Sequence, residues 1–562
     1  MSHAPICGLK LTHDGGVAIV ENNKLLFSIE AEKLNNNPRY SELHDLTVVE
    51  AILRENGMQL DDISSISIDG WYAPKQTVRA KAHDGSWLHP PLADYLDDSW
   101  EQSPFHSING TLPIGGGPRD YRSYAHVINH VFAGYCSSPF AREGQPSLIL
   151  VWDGSMAAHL FHFDPRHKRL KNEGIALDIL GGVYPAFAAG FDPFRVKSRR
   201  IPFRPNHFFE NQQAFLPISG KAMAYMGLGA PDEEVITMFK QACSKIPPRS
   251  FVGVLRWCRL AKKKTDKLGL PDPVVLASFQ EFLFRELCNG LREKLTSYET
   301  PPPICLVGGC ALNIKWNSGL RASGLFSDVW VPPFPNDSGS AIGAACTEMV
   351  RVSDNVALEW SVFSGPDLVM SADCPEGWQQ EPCAIGEVAR LLAENDEPVM
   401  VLSGRAELGP RALGHRSIVA PATDEKMRDR LNELKHREWY RPVAPICLED
   451  KATEIFSPGT RDPHMLFDHE IRPEWKARIP AVVHMDGTAR LQTVGPENPV
   501  LAELLSEYAR LSGIPVLCNT SANLSGCGFF PDTNSAMQWG GTKYVWANEV
   551  LFSRKSGFPE MS

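Results

Sequence analysis

The sequence predicts an α/β protein built from two domains. Three observations carry that reading. Short apolar runs end in an acid or paired glycines and lead straight into small-residue or amphipathic stretches: SLILVWDG (147–154), ICLVGGCALNIKW (304–316) and DVWVPPFPNDSGSAIGAAC (328–346). Such strand-to-helix turns are the repeating joint of α/β folds. Periodicity is then lost over 352–385, a stretch carrying Pro, Ser and Asp, which places a boundary between domains 1–365 and 366–562. Finally, 562 residues with 43% hydrophobic and 22% charged side chains suffice for two large cores.

Composition excludes several classes. The net charge of −10 argues against a general nucleic-acid surface, although a local basic cleft stays open. No run approaches the roughly 18 uninterrupted apolar residues of a membrane span. MSHAPICGLKLTHDGG has no charged n-region followed by an apolar h-region, so a cytoplasmic location is expected. The 13 cysteines include no CxxC pair and read as free thiols, several of them, such as Cys305 and Cys518, inside apolar strings.

Taken in order, CGLKL and GVAIV read as strands joined at His13-Asp14-Gly15-Gly16, and Asn22-Asn23 turns into the strand KLLFSIEAEK. LTVVEAILRENGM has helical periodicity, and the remainder of 34–120 reads as loop-rich up to GTLPIGGGPRD. YRSYAHVINHVFAGYCSSPF reads as a helix on which His126 and His130 stand at i, i+4, one turn apart on one face. That spacing suits two nitrogens on one metal and equally suits two structural histidines. Asp153-Gly154 closes an apolar strand as either a ligand contact or a plain turn. The stretch 271–295 is a long amphipathic helix. Gly308-Gly309 then lets backbone approach a phosphate at a helix start, or serves packing alone.

The second half is organised around Arg405–Pro445, RAELGPRALGHRSIVAPATDEKMRDRLNELKHREWYRPVAP. Nine Lys/Arg side chains stand there against six acids. Gly409-Pro410 and Gly414 bracket Arg411, and Arg441-Pro442 ends the run. Guanidinium groups on fixed turns suit phosphate, because the planar fork binds two oxygens at once. DGTARLQTV and IPVLCNTSAN follow, supplying hydroxyls and amides at a strand-to-turn.

GRAELGPRALGHRSI followed by KHREWYRPVAP resembles the signature of the NodU/CmcH family of O-carbamoyltransferases. His13-Asp14, His126 with His130, GGCALN, Asn336-Asp337, DGTARLQTV and PVLCNTSAN fall in the family's order, and the likeness covers nearly the whole chain. Glu30-Ala31-Glu32-Lys33 stands where the family usually has E-E-R, a variant that resembles the CmcH-like branch.

The resemblance implies an N-terminal actin-like domain, similar to the threonylcarbamoyl-transferase fold, and a C-terminal YrdC-like α/β domain. It implies an enzyme that uses carbamoyl phosphate and ATP with Mg2+, forms carbamoyl adenylate in the C-terminal domain, and transfers the carbamoyl group to a hydroxyl of a small natural product. His126, His130 and Asp337 would hold Fe(II) or another divalent metal. Asp153, Gly154, Gly308, Gly309, Asn313 and Asn336 would contact the adenylate. Arg405, Gly409, Arg416, Ser417, Arg437, Arg490, Asn519, Thr520 and Ser521 would bind ATP and carbamoyl phosphate, with Arg411, Lys435 and Arg441 acting on them. His13, beside Asp14, would serve as base for the acceptor hydroxyl or position it. No nucleic acid or membrane partner is expected, and a homodimer is compatible with the pattern. A tRNA-modifying threonylcarbamoyl transferase and a non-enzymatic actin-like nucleotide-binding regulator are the rival readings.

Overall fold

The computed structural model describes residues 4–72, 78–96, 103–195 and 214–555. It is a mixed α/β chain that separates into two units. One comprises Met1–His13, Val17–Leu25 and Leu43–Glu359; the other comprises Asp14–Gly16, Leu26–Glu42 and Trp360–Ser562. The division at Glu359/Trp360 falls inside the aperiodic stretch. The second unit also takes two N-terminal segments that a linear reading of the sequence leaves in the first domain.

The first unit carries two large sheets and a two-stranded one, Ala80–Lys81 with Trp87–Leu88. One large sheet includes, in order, Gly16–Glu21, Ile6–Lys10, Ser65–Asp69, Gly117–Tyr124 and Ile108–Ile114. Ile6–Lys10, Ser65–Asp69 and Gly117–Tyr124 are mutually parallel, so Lys10, Asp69 and Tyr124 end neighbouring strands on one edge. In open α/β sheets that carboxyl edge is where ligands bind. The five-stranded sheet runs Arg169–Leu177, Ala158–Asp164, Ser147–Val151, Ile304–Val307, Val329–Trp330, with Ser147–Val151 parallel to Ile304–Val307. Asp153 and Gly308-Gly309 follow those two strand ends.

Two stretches fold differently from their sequence reading. INGTLPIGGGPRDYRSY is a hairpin, Ile108–Ile114 against Gly117–Tyr124, and not a loop. Gly115 and Gly116 have φ of 70° and 76°, which permits the tight two-residue connection. Consequently the helix containing the paired histidines begins at His126 and ends at Cys136, because Tyr121–Tyr124 is committed to the sheet. Every residue of that helix is buried. Its neighbour, Ser340–Val352, packs closely because its residues are small. A Cβ on Gly343 would stand 2.2 Å from the Asn129 carbonyl oxygen, and one on Gly8 would stand 2.1 Å from that of Ala341.

The second unit centres on an eight-stranded mixed sheet in the order Trp378–Pro382, Val550–Arg554, Tyr544–Ala547, Val399–Leu402, Arg416–Pro421, Val516–Ser521, Ala444–Leu448, Gln492–Val494. The amphipathic helices Ile385–Asn395 and Pro499–Ser512 pack against each other. Among the described residues no helix is long and apolar enough to cross a membrane.

Gly343 gives the fold a signed test. Gly→Ala inside a helix ordinarily stabilises by about 1 kcal/mol. Here the added methyl meets backbone, so Gly343→Ala is expected to destabilise by about 1–3 kcal/mol in denaturant unfolding. An increase in stability would show that the two helices are not packed this closely.

Candidate functional site

Two clusters of buried charge form, one in each unit. In the first unit, one nitrogen or oxygen from each of His126, His130, Asp153 and Asp337 lies within 4.8 Å of the others. His126 Nε2 and His130 Nε2 face each other at 3.0 Å, and Asp337 Oδ1 stands 3.5 Å from both. Asp153 Oδ1 accepts the Gly309 N–H at 2.6 Å, and its Oδ2 accepts the Tyr95 hydroxyl. The other face of His126 is fixed: Nδ1 meets Asp69 Oδ2 at 2.8 Å, and Asp69 Oδ1 accepts from Asn129 at 2.7 Å. A carboxylate on Nδ1 leaves the Nε2 lone pair pointing into the cluster, as a metal-ligating histidine requires. Lys10 Nζ bridges Asp69 Oδ2 at 2.7 Å and Asp337 Oδ2 at 3.0 Å, and it lies 4.1 Å from the centre of the Trp71 ring. His13 Nε2 stands 3.6 Å from Asp337 Oδ2.

Charge counting tests the fit to a metal. Three buried carboxylates, Asp69, Asp153 and Asp337, face one ammonium, Lys10, and the residual charge is that of one divalent cation. Two imidazole nitrogens with carboxylate oxygens form a borderline set suited to Fe(II) and its neighbours. Without an ion, burial works against protonation of His126, but Asp69 and Asp337 outweigh it and hold the imidazole pKa up to about 9. Burial likewise opposes ionisation of Asp337, yet Lys10, His126 and His13 keep its pKa well below the usual carboxylate range. His126, His130, Asp337 and Asp153 could therefore hold a divalent metal. Asp153, which the resemblance places at the adenylate, lies within this group.

In the second unit the GPRALG turn is tied by side chains. Glu407 Oε1 accepts the main-chain N–H groups of Leu413, His415 and Arg416 at 2.7, 2.8 and 3.1 Å. Gln492 and Asn498 both donate to the Leu413 carbonyl at 2.8 Å, and Asn519 donates to that of Ala412 at 3.1 Å. Gly409 and Gly414 have φ of 77° and 122°, in the region that favours glycine.

The turn presents Arg411 to a group of cations: Arg39, Lys435, Arg437, Arg441 and Arg490. Burial, then repulsion from Arg39 and Arg441, lowers the Arg411 pKa to about 10. Burial, then Arg441, Arg39 and Arg490, lowers that of Arg437 to about 9. Burial, then Arg437 and Arg39, pushes Lys435 well below its ordinary value, and Arg490 is depressed by burial, then Arg411 and Arg441. Arg437 donates to Thr520 Oγ1 at 2.9 Å and Ser521 Oγ at 3.2 Å, while Lys435 reaches Asn523 Oδ1 at 2.9 Å. Five of the six are held below their ordinary values, and Arg39, against burial, is raised by Glu32, Tyr40, Asp14 and Glu30; a group of this sign suits an anion.

Other sequence-predicted residues make structural contacts. Arg416 is 1% exposed and donates to the carbonyls of Phe530, Ser403, His415 and Gly404, so its guanidinium braces backbone and does not face an open site. Ser417 is fully buried beside it, and Arg405 pairs with Asp367 at 3.2 Å. Asn313 caps the helix Ile314–Ala322. Asn336 Oδ1 accepts from Ser338, Gly308 packs on the Trp152 carbonyl, and the Gly154 carbonyl accepts from Gly182. Asp14 acts electrostatically on Arg39 and Tyr40 in the second unit. Sequence reasoning missed Arg39, Lys10, Asp69 and Tyr95. Arg39 follows Asn-Asn-Asn-Pro, a turn signal. Lys10 and Asp69 have only the weak signal of a charge ending an apolar strand.

The chain is thus a mixed α/β protein with a buried two-histidine, two-carboxylate cluster and a cation-rich turn. The family models for the carbamoyltransferase N-terminus and C-terminus match residues 5–101 with 117–346, and 389–551. The chain is 44% identical to Nodulation protein U of Rhizobium tropici over 98% of its own length and 96% of the relative's. It is 31% identical to the 3'-hydroxymethylcephem-O-carbamoyltransferase of Streptomyces clavuligerus, covering 93% and 94%. Nodulation protein NolNO of Sinorhizobium fredii is 28% identical over 91% of this chain and 74% of that protein. The chain belongs to the carbamoyltransferase family and is an O-carbamoyltransferase. Its identity to the nodulation protein exceeds that to the cephem enzyme, whose branch the Glu30–Lys33 variant resembles.

The first cluster generates a metal test. His130→Ala is expected to empty the site, and Asp69→Asn to weaken divalent-ion affinity by roughly 10- to 100-fold, read by metal analysis and competition with a chelating dye. Full occupancy at unchanged affinity in both variants would show that these residues hold no ion.

Proposed function

We propose that the chain joins carbamoyl phosphate and ATP into carbamoyl adenylate and transfers the carbamoyl group to a hydroxyl of a small natural product. The supporting observation is the group of six buried or partly buried cations, Arg39, Arg411, Lys435, Arg437, Arg441 and Arg490. A single phosphate monoester carries at most about two charges, so this group is suited to a triphosphate together with a second phosphorylated substrate. In this reading the first unit is actin-like and the second YrdC-like.

Water cleaves carbamoyl phosphate to carbamate and phosphate, and a carbamate oxygen attacks the α-phosphorus of ATP. The bond to the β-phosphate bridging oxygen breaks and pyrophosphate leaves. The cations compensate charge in both steps, the main contribution a protein makes to phosphoryl chemistry. In the transfer step the acceptor oxygen attacks the carbamoyl carbon and AMP departs. His13 takes the hydroxyl proton or holds the hydroxyl, with Asp337 3.6 Å from its Nε2. His126, His130, Asp337 and Asp153 would hold a divalent metal, which would supply Lewis acidity toward a carbonyl oxygen. The cephem relative's name places its acceptor at a hydroxymethyl group, and a small-molecule hydroxyl is the acceptor class proposed here.

The half-reactions separate by unit. Arg441→Ala leaves a partner phosphate unpaired, which costs about 2–5 kcal/mol, and is expected to slow carbamoyl-phosphate-dependent pyrophosphate release by roughly 30-fold to several thousand-fold. His130→Ala is expected to retain that release and lose only carbamate-ester formation, followed by mass spectrometry with hydroxylated acceptors. Wild-type pyrophosphate release by Arg441→Ala would remove the second unit from the activation step.

A further inference from the structure

We propose that Lys33 and Glu30 are positioning residues for the activation step: they fix the backbone of the Glu407–Gly409 turn so that Arg411 is presented at a set place. This rests on the reading of that turn as a phosphate site.

Lys33 is 1% exposed, and all three of its ammonium donors are used. They reach Glu30 Oε1 at 2.6 Å, the Glu407 carbonyl at 2.5 Å and the Gly409 carbonyl at 2.9 Å. Glu30 Oε1 also accepts the Gly409 N–H at 2.8 Å. Both polar groups of the Gly409 backbone are thus held by one buried ion pair. Gly409 needs that hold because its φ of 77° is a conformation with many unstrained neighbours for glycine. Pro410 then fixes the next φ and Arg411 follows, so the side chain inherits its direction from the clamped glycine.

The clamp is seated on a second loop of the same unit. Arg39 N–H donates to the Gly526 carbonyl at 2.8 Å, Gly528 N–H to that of Asn37 at 3.0 Å, and Pro38 bridges Cys527. A Cβ on Gly528 would stand 1.9 Å from the Glu32 carbonyl oxygen, so the two segments are in direct backbone contact. Phe529 lies under the ammonium at 5.1 Å. The segment that carries Lys33 also carries Arg39, so one piece of chain places two of the six cations. Lys33 itself is saturated by protein and acts through Gly409. A residue with a purely structural role would lower stability without shifting the apparent affinity for anions.

The test compares Lys33→Met, Lys33→Arg and Glu30→Gln in the full chain. Three readouts are pyrophosphate release at varied carbamoyl phosphate, calorimetric binding of inorganic pyrophosphate, and hydrogen exchange at the Gly409, Leu413 and His415 amides. Lys33→Met is expected to raise KM for carbamoyl phosphate by roughly 10²-fold, the cost of a small misplacement, with a smaller change in kcat. Pyrophosphate binding should weaken and the three amides should exchange faster, while the Val399–Leu402 amides keep their protection. Lys33→Arg should recover most of the affinity. Wild-type KM, pyrophosphate binding and exchange in a folded Lys33→Met protein would overturn the proposal. If that variant does not fold, Glu30→Gln decides by the same readouts. If the wild-type chain releases no pyrophosphate, the proposed function falls. Pyrophosphate binding and exchange in the variants then decide the clamp alone, and wild-type values in both would overturn it.

Discussion

Uncompensated buried charge is the constraint on which both sites depend. In the first unit three carboxylates face a single ammonium. In the second, six cations gather: Glu32, Asp14 and Glu30 support Arg39, while burial first holds Arg411, Lys435, Arg437, Arg441 and Arg490 below their ordinary values. Taking a charge out of water is costly unless it is paired, so neither arrangement is a way to stabilise a fold. Each is sustained by the surrounding scaffold, and the ligand proposed for each has the opposite sign: a divalent cation in one case and phosphate groups in the other. Neighbouring charges set the direction of the pKa changes at the first cluster: against burial, Lys10, His126 and His13 hold Asp337 down, and Asp69 and Asp337 hold His126 up. At the second, burial and then neighbouring cations drive Lys435, Arg437 and Arg490 down.

The scaffolds that hold these charges are different. The first cluster is assembled at strand ends. Lys10 and Asp69 end adjacent parallel strands, Asp153 follows the end of Ser147–Val151, and the two histidines open a fully buried helix. Regular elements fix such positions tightly, and the close packing of Ser340–Val352 on that helix places Asp337 opposite them. The second cluster is assembled on a turn. There the rigidity comes from side chains that spend their polar groups on backbone: Glu407, Gln492, Asn498, Asn519, Arg416 and the Glu30–Lys33 pair. Arg416 and Asn519 therefore hold the turn on which the anion site is proposed.

Much of this was legible in the sequence, for identifiable reasons. His126 and His130 are visible because helical spacing puts them on one face, and Asp337 because it sits with glycines at a strand-to-helix joint. Arg411, Lys435, Arg437 and Arg441 are visible because they lie in one stretch punctuated by Gly and Pro. What escaped depends on contacts far apart in sequence. Asp69 and Lys10 are ordinary strand-end residues until the sheet order brings them beside His126. Arg39 joins the cations only because Leu26–Glu42 packs with the second unit. The hairpin at Ile108–Tyr124 was read as loop because glycine and proline dominate its turn. The contacts of Arg416 are not legible either, because sequence carries no record of which backbone carbonyls a guanidinium meets.

The central claim is that each cluster is incomplete without a ligand of opposite charge, and thermal unfolding of the metal-free full chain tests it most directly. A ligand that binds only the folded state stabilises it by about 2.7 kcal/mol at a hundredfold excess over Kd. The expected result is a rise in Tm with a divalent ion such as Fe(II) or Mn(II), a separate rise with carbamoyl phosphate and ATP, and the two rises present together when both are added. Loss of the first rise alone in His130→Ala, and of the second alone in Arg441→Ala, would assign each to its own cluster. An unchanged Tm at millimolar concentrations of both ligands would contradict the account.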